Sequence, residues 1–466
     1  MQRYSFWLLL LATLYVSACT TATRKGPVSA EPPQTAAPIQ VSPVLGQDTV
    51  TPLPSVPPIE VSPLPPAAAA APIPDNVAPH IALILPLRSP SAQLTAAANA
   101  VQQGFMAAAL HQKRDFPVRV YSAADESKES IQIYRQAIVN GAVAVAGPLT
   151  RPGVTLLATF PDITVPTLAL NTSEQKSEST KMYFFGLTPE SEARQIAQLA
   201  FAAKLQDATI INTGTAISKR LAIAFADEWK KLGGNLTAEV IYKEGDDSNV
   251  LTNLPTAAWL VEPPAPTQVT LISESGEVTT MAPKRTGPPP AAPGNVVFLA
   301  GDNKQARLIR PYLNPSLPVY STSQLFNINS DTLTNYDLND IRFVDMPWLL
   351  QPDHPAVMIY PRSATSLDTD KERLYAFGID AYRLLHIMLN EKYRNALPLD
   401  GVTGQIHLAE FNSFHRDALP AFFRYGRGLT RETLAIIEAE RAAAKAEEIA
   451  ARKAAEENAA TTAPVK

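Results

Sequence analysis

The sequence predicts an α/β protein of two similar Rossmann-like lobes behind a disordered, Pro-rich tether. Short apolar runs alternate with helix-spaced segments between residues 81 and 170, and the same rhythm resumes after Thr188. That alternation calls for parallel sheets with helices on both faces. Residues 20–78, by contrast, are rich in Pro, Ala, Val, Ser and Thr and nearly free of aromatics, so they cannot bury enough surface to fold.

The order of elements starts with an export signal. Arg3 supplies a positive charge, the run Phe6–Val16 is apolar except for Thr13, and the small residues Ser17 and Ala18 lead to Cys19. This is the pattern of a secretory signal over 1–18, and the apolar run is shorter than the about 20 residues a membrane helix needs. Val16-Ser17-Ala18-Cys19 resembles the bacterial lipobox, which makes Cys19 the lipid-attachment residue and the first mature one. Cys19 is also the only cysteine, so no disulfide within the chain is available and an apolar core must supply stability. In such lipoproteins an Asp after the Cys favours the inner membrane. Thr20 stands there instead, so the outer membrane is expected, with the protein facing the periplasm.

The tether, 19–78, includes Pro52-Leu53-Pro54 and Pro63-Leu64-Pro65-Pro66. In polyproline II form, at about 3.1 Å per residue, it reaches on the order of 150 Å. Folding is expected from residue 79. Strands are read at 81–87, 117–121, 142–146 and 165–170, with helices at 91–112 and 127–139 between them. After Thr188 come a helix over 189–204, a strand at 208–211, a helix over 215–232 stopped by Gly233-Gly234, and a strand at 238–242. A strand at 295–300, a helix over 303–313 and the strand-like Leu317-Pro318-Val319-Tyr320 complete the second set. Residues 256–294 hold Pro263-Pro264-Ala265-Pro266 and Gly287-Pro288-Pro289-Pro290 and are read as a structureless surface insertion. The tail, 429–466, is an Ala/Glu-rich, helical or disordered segment; Glu448 and Arg452 are spaced as an i,i+4 pair, with no sustained heptad seam.

Catalytic signals are few. The six histidines, His80, His111, His354, His386, His407 and His415, lack metal-site spacing, and no cofactor loop or GxSxG elbow is present. Ser173-Glu174-Gln175-Lys176 matches the S-x-x-K of penicillin-binding enzymes, but its companion motifs are missing and its setting is a polar loop. The net charge of −4 gives no reason to expect nucleic acid. A binding protein, not an enzyme, is expected, with neither metal nor cofactor.

Several stretches point to one family. They are Gly104-Phe105-Met106, Phe185-Gly186-Leu187-Thr188-Pro189-Glu190, Glu192-Ala193-Arg194-Gln195, Asp345-Met346-Pro347-Trp348-Leu349-Leu350, Arg373-Leu374-Tyr375-Ala376-Phe377-Gly378-Ile379-Asp380-Ala381-Tyr382 and Gly401-Val402-Thr403-Gly404. Across 79–428 the chain resembles the C-terminal domain of the penicillin-binding protein activator family, the LpoA type. The resemblance implies a type I periplasmic-binding-protein fold, two lobes joined by three crossovers around a cleft. It also implies an outer-membrane lipoprotein, close to peptidoglycan, that contacts a class A penicillin-binding protein and stimulates its transpeptidase. The chain departs from longer members in having the Pro-rich tether where they carry a helical-repeat domain. The alternative is a periplasmic solute receptor for an amino acid or muropeptide. In receptors of this fold, Ser or Thr loops after the third and fourth strands hold the ligand, and the corresponding residues here are Thr150, Asn171 and Thr172.

Overall fold

The computed structural model describes residues 78–112, 116–173, 175–243, 269–272, 278–281, 293–390 and 396–461. The signal, Cys19 and the tether lie outside the described residues.

The first lobe is a sheet with the order β2-β1-β3-β4-β5, built from His80–Leu85 (β1), Val118–Ser122 (β2), Ala142–Ala146 (β3), Thr167–Ala169 (β4) and Met182–Phe185 (β5), all parallel. The helices Ala92–His111 (α1), Glu126–Val139 (α2) and Arg151–Ala158 (α3) connect its strands. The second lobe repeats the plan. Pro189–Ala202 (α4) enters it, and Asp207–Asn212 (β6), Ala216–Lys231 (α5) and Asn235–Ile241 (β7) follow. Beyond the hairpin Val269–Ile272 (β8) and Val278–Met281 (β9) come Asn295–Ala300 (β10), Asn303–Ile309 (α6), Val319–Tyr320 (β11) and Ile341–Asp345 (β12). Its parallel strands run β7-β6-β10-β11-β12, the same order as in the first lobe.

The rest of the chain completes both sheets. The short helices Pro347–Leu350 (α7) and Pro355–Met358 (α8) lead to the long helix Thr369–Leu389 (α9). Leu399–Asp400 (β13), Gln405–Leu408 (β14) and Ser413–Asp417 (β15) extend the first sheet beside β5, and Leu419–Arg424 (β16) and Arg427–Leu429 (β17) extend the second beside β12. The chain therefore passes between lobes at residues 186–188, at Met346 and at Ala418, the three crossovers of the type I periplasmic-binding-protein fold.

The unbroken apolar runs of the sequence are strands covered on both faces, as parallel sheets require. In β1, Ile81, Leu83 and Leu85 pack beneath α1 and α9, whereas Ala82 and Ile84 face Tyr134, Val154 and Leu157 of α2 and α3. In β10, Val297 and Leu299 join Ile309 and Phe423 on one face, and Val296 and Phe298 join Phe225 and Trp229 on the other. The motif glycines set the closest packing. A Cβ on Gly104 would stand 1.8 Å from the Tyr375 carbonyl oxygen, and one on Gly378 would stand 2.1 Å from that of Val101, so α1 and α9 touch through their backbones.

Two differences from the sequence reading stand out. The insertion read as structureless contains the antiparallel pair β8–β9. Val269-Thr270-Leu271-Ile272 and Val278-Thr279-Thr280-Met281 are rich in β-branched residues, a signal masked by the flanking prolines. The helix read over 303–313 ends as a 3-10 turn at Arg310–Tyr312, where Pro311 removes a donor. The C-terminal helix Arg431–Thr461 (α10) starts against the second lobe, and residues 438–453 are all exposed.

Candidate functional site

All three crossovers leave from the carboxyl ends of strands, so those ends of both sheets face each other across the inter-lobe cleft, where ligands bind in open α/β folds. Thr150, Asn171 and Thr172 lie at this edge of the first lobe, after β3 and β4. Two of them already have structural work. Thr150 Oγ1 accepts from the Gly153 N–H at 3.3 Å as the N-cap of α3, and Asn171 Nδ2 donates to the Leu149 carbonyl at 2.9 Å. Beneath them is the buried Glu126, which accepts from the backbone N–H groups of Leu149 and Thr150 at 3.1 and 2.6 Å. Burial pushes its carboxyl up from the ordinary range, against the pull of those N–H groups. Thr172 alone of the three lines a cavity, of about 330 Å³, between the lobes.

The hinge is crossed by two buried ion pairs. Arg373, at the start of α9, donates to Asp345, at the end of β12, from Nη2 at 2.7 Å and Nε at 3.1 Å. Its Nη2 also meets the carbonyl oxygens of Ser323 and Phe326 at 2.8 and 3.0 Å. Asp345 is 0% and Arg373 7% exposed. Burial opposes the charge on Arg373, but the Asp345 carboxylate outweighs it and holds the guanidinium above its ordinary value. The second pair joins Glu192 of α4 to Arg416 of β15. Glu192 also accepts from the Ser323 N–H at 3.0 Å, and Arg416 Nη1 donates to the Thr403 carbonyl at 3.1 Å. Gln195, one turn on, clasps the third crossover, donating to the Ala418 carbonyl at 2.8 Å and accepting from its N–H at 3.0 Å. Opening the lobes would strand these buried charges, so the geometry favours a fixed inter-lobe angle.

The distinctive motifs explain one another. Asp345 and Arg373 come from two of them. Asp380, from the same motif as Arg373, is fully buried and accepts from the backbone of Val402 and Thr403 at 3.1 and 2.8 Å and from Thr403 Oγ1 at 2.7 Å, fixing the Gly401–Gly404 turn. The S-x-x-K match is no helix turn: Ser173 Oγ accepts from the Gln175 N–H at 3.0 Å, and Lys176 Nζ lies 3.8 Å from the centre of the Phe411 ring. His407 and His415 sit opposite each other on β14 and β15, ring centroids 6.0 Å apart. Partial desolvation, then the charges of His407 and Arg194, push the His415 imidazole down. Among the described residues, no three His, Cys, Asp or Glu side chains converge as metal ligands.

The family model described as "LppC putative lipoprotein" matches residues 75–428. The chain belongs to the LppC family. Its relatives include the penicillin-binding protein activator LpoA of Vibrio antiquarius, 27% identical over 345 residues, 71% of this chain and 55% of that protein. That of Yersinia pseudotuberculosis is 26% identical over 287 residues, 58% of this chain and 43% of that protein. The chain thus spans about half the length of these curated relatives. The solved LpoA C-domain of Haemophilus influenzae, described as a regulator of PBP1A, is 20% identical with a TM-score of 0.56, covering 75% of this chain and 99% of that one. A Chromobacterium violaceum structure described as "a putative branched-chain amino acid ABC transporter" is 34% identical with a TM-score of 0.57, covering 74% of this chain and 99% of that one.

Proposed function

We propose that this LppC-family protein is a non-enzymatic regulator that binds a class A penicillin-binding protein and raises its peptidoglycan transpeptidase activity. The family match across 75–428, with relatives named as penicillin-binding protein activators, carries this reading. The hinge supports it: a pair of lobes tied by two buried ion pairs suits a fixed docking body better than a clamshell. In this reading 1–18 is the signal, lipid on Cys19 anchors the chain in the outer membrane, and 19–78 carries the two-lobed body, 79–428, towards the cell wall. Anchoring raises the effective concentration at a synthase within reach. Activation then requires tighter binding to the synthase's active conformation than to its inactive one. The direct test is complex formation between the purified chain and a purified class A penicillin-binding protein. A saturable complex at micromolar concentrations is expected, and none would refute the reading. Acyl mass on the mature N-terminal Cys19 tests the anchor.

A second reading, a periplasmic receptor for an amino acid or muropeptide, draws on the 34% identical Chromobacterium violaceum structure. Binding isotherms with amino acids and muropeptides separate the two. Tight binding with no synthase complex would favour the receptor.

A further inference from the structure

We propose that the cavity at the hinge end of the cleft is a binding site for a small oxyanion, a carboxylate or phosphate, held chiefly by Arg194. The site is independent of the activator reading. The cavity, about 330 Å³, lies at the lower end of the range for small-molecule sites. Arg151 and Thr172 line it from the first lobe, Thr188, Glu190 and Arg194 from the first crossover and the start of α4, and Arg416 from β15.

The charges on its walls do not balance. Arg416 is neutralised by Glu192, and Arg220, 2.5 Å from Glu190 Oε1, neutralises Glu190. Arg151 reaches the same Glu190 oxygen only at 3.9 Å. Arg194 is half-buried and makes no hydrogen bond or ion pair among the described residues. Two positive charges, on the exposed Arg151 and the half-buried Arg194, are therefore left over on the cavity walls, where an anion gains charge-assisted hydrogen bonds.

Neutral donors point the same way. Thr188 is the N-cap of the 14-residue helix α4 and lines the cavity, and its hydroxyl makes no capping bond; in the first turn Pro189 has no N–H and the Ser191 N–H is taken by the Thr188 carbonyl at 3.0 Å. Thr172, whose N–H is taken by Asn171 Oδ1, adds a hydroxyl. Such a ligand would touch both lobes and brace the hinge that the buried pairs already hold.

The test uses the full chain in detergent, with inorganic phosphate and succinate as probes and sodium chloride at matched ionic strength as the control. Saturable heat in calorimetry and a raised melting temperature with phosphate, succinate or both are expected. The responding probe identifies the ligand class. Arg194→Gln should weaken binding by roughly tenfold or more, the loss of one charge-assisted hydrogen bond, while the unliganded melting temperature stays put. If that variant fails to fold, Thr172→Val serves in its place, with a smaller loss expected. The proposal is overturned if neither probe binds beyond the chloride control, or if the folded variant binds as tightly as the parent.

Discussion

At the residue scale, the hinge rests on charges buried in pairs. Arg373→Met should leave Asp345 buried without its partner and lower stability by about 3–5 kcal/mol, and Asp345→Leu added to it should restore most of the loss. Urea denaturation of the single and double variants checks this, and equal stability of the two would contradict it. His80 gives a pH signature. It is buried at the start of β1, with Nε2 2.9 Å from Tyr121 Oη and Nδ1 3.1 Å from the Ala78 carbonyl. Burial lowers its affinity for a proton, and nearby Arg119 adds to that, against the Ala78 carbonyl. The folded state therefore keeps the ring neutral while the unfolded chain protonates near 6.5, so this contribution is complete above that pH and is lost as pH falls below it. Stability measured from pH 7.5 to 5 should fall less steeply in His80→Gln than in the parent.

At the scale of elements, α1 and α9 depend on bare backbone contact at Gly104 and Gly378. Gly378→Ala must push the helices apart and should cost about 1–3 kcal/mol or more by overpacking, readable as a lowered melting temperature. Elements were legible in the sequence where burial on both faces made them continuous and apolar: β3 and β10 lie where the apolar runs put them, and β1 is displaced by only a residue or two. The place of the β13–β15 edge beside β5 was not legible, because that pairing joins residues more than two hundred positions apart. The site was legible only in part. Thr150, Asn171 and Thr172 do reach the cleft edge, but capping α3 and bracing Leu149 occupy the first two. Arg194 and Glu192 stand in a quoted motif, but nothing local marked their roles: Arg194 is a single charge on a helix, and the Glu192–Arg416 pair links residues 224 apart in sequence. The quoted motifs did contain Glu192, Asp345, Arg373 and Asp380, whose roles became visible only once the fold paired them.

At the scale of the whole molecule, two lobes of identical strand order are joined by three crossovers and braced at the hinge by two buried ion pairs. If reach matters to the proposed function, removing two-thirds of residues 20–78 should abolish cell-wall function in cells while leaving synthase binding in solution unchanged; full complementation would show that reach is irrelevant. The central claim is that the folded body activates a synthase and performs no chemistry of its own. The most direct measurement is crosslinked muropeptide made by a purified class A penicillin-binding protein with and without the purified chain. Crosslinking should rise with the chain and saturate as the complex forms, and the chain alone should leave muropeptides unchanged. Unaltered crosslinking at concentrations that saturate any complex would contradict the account.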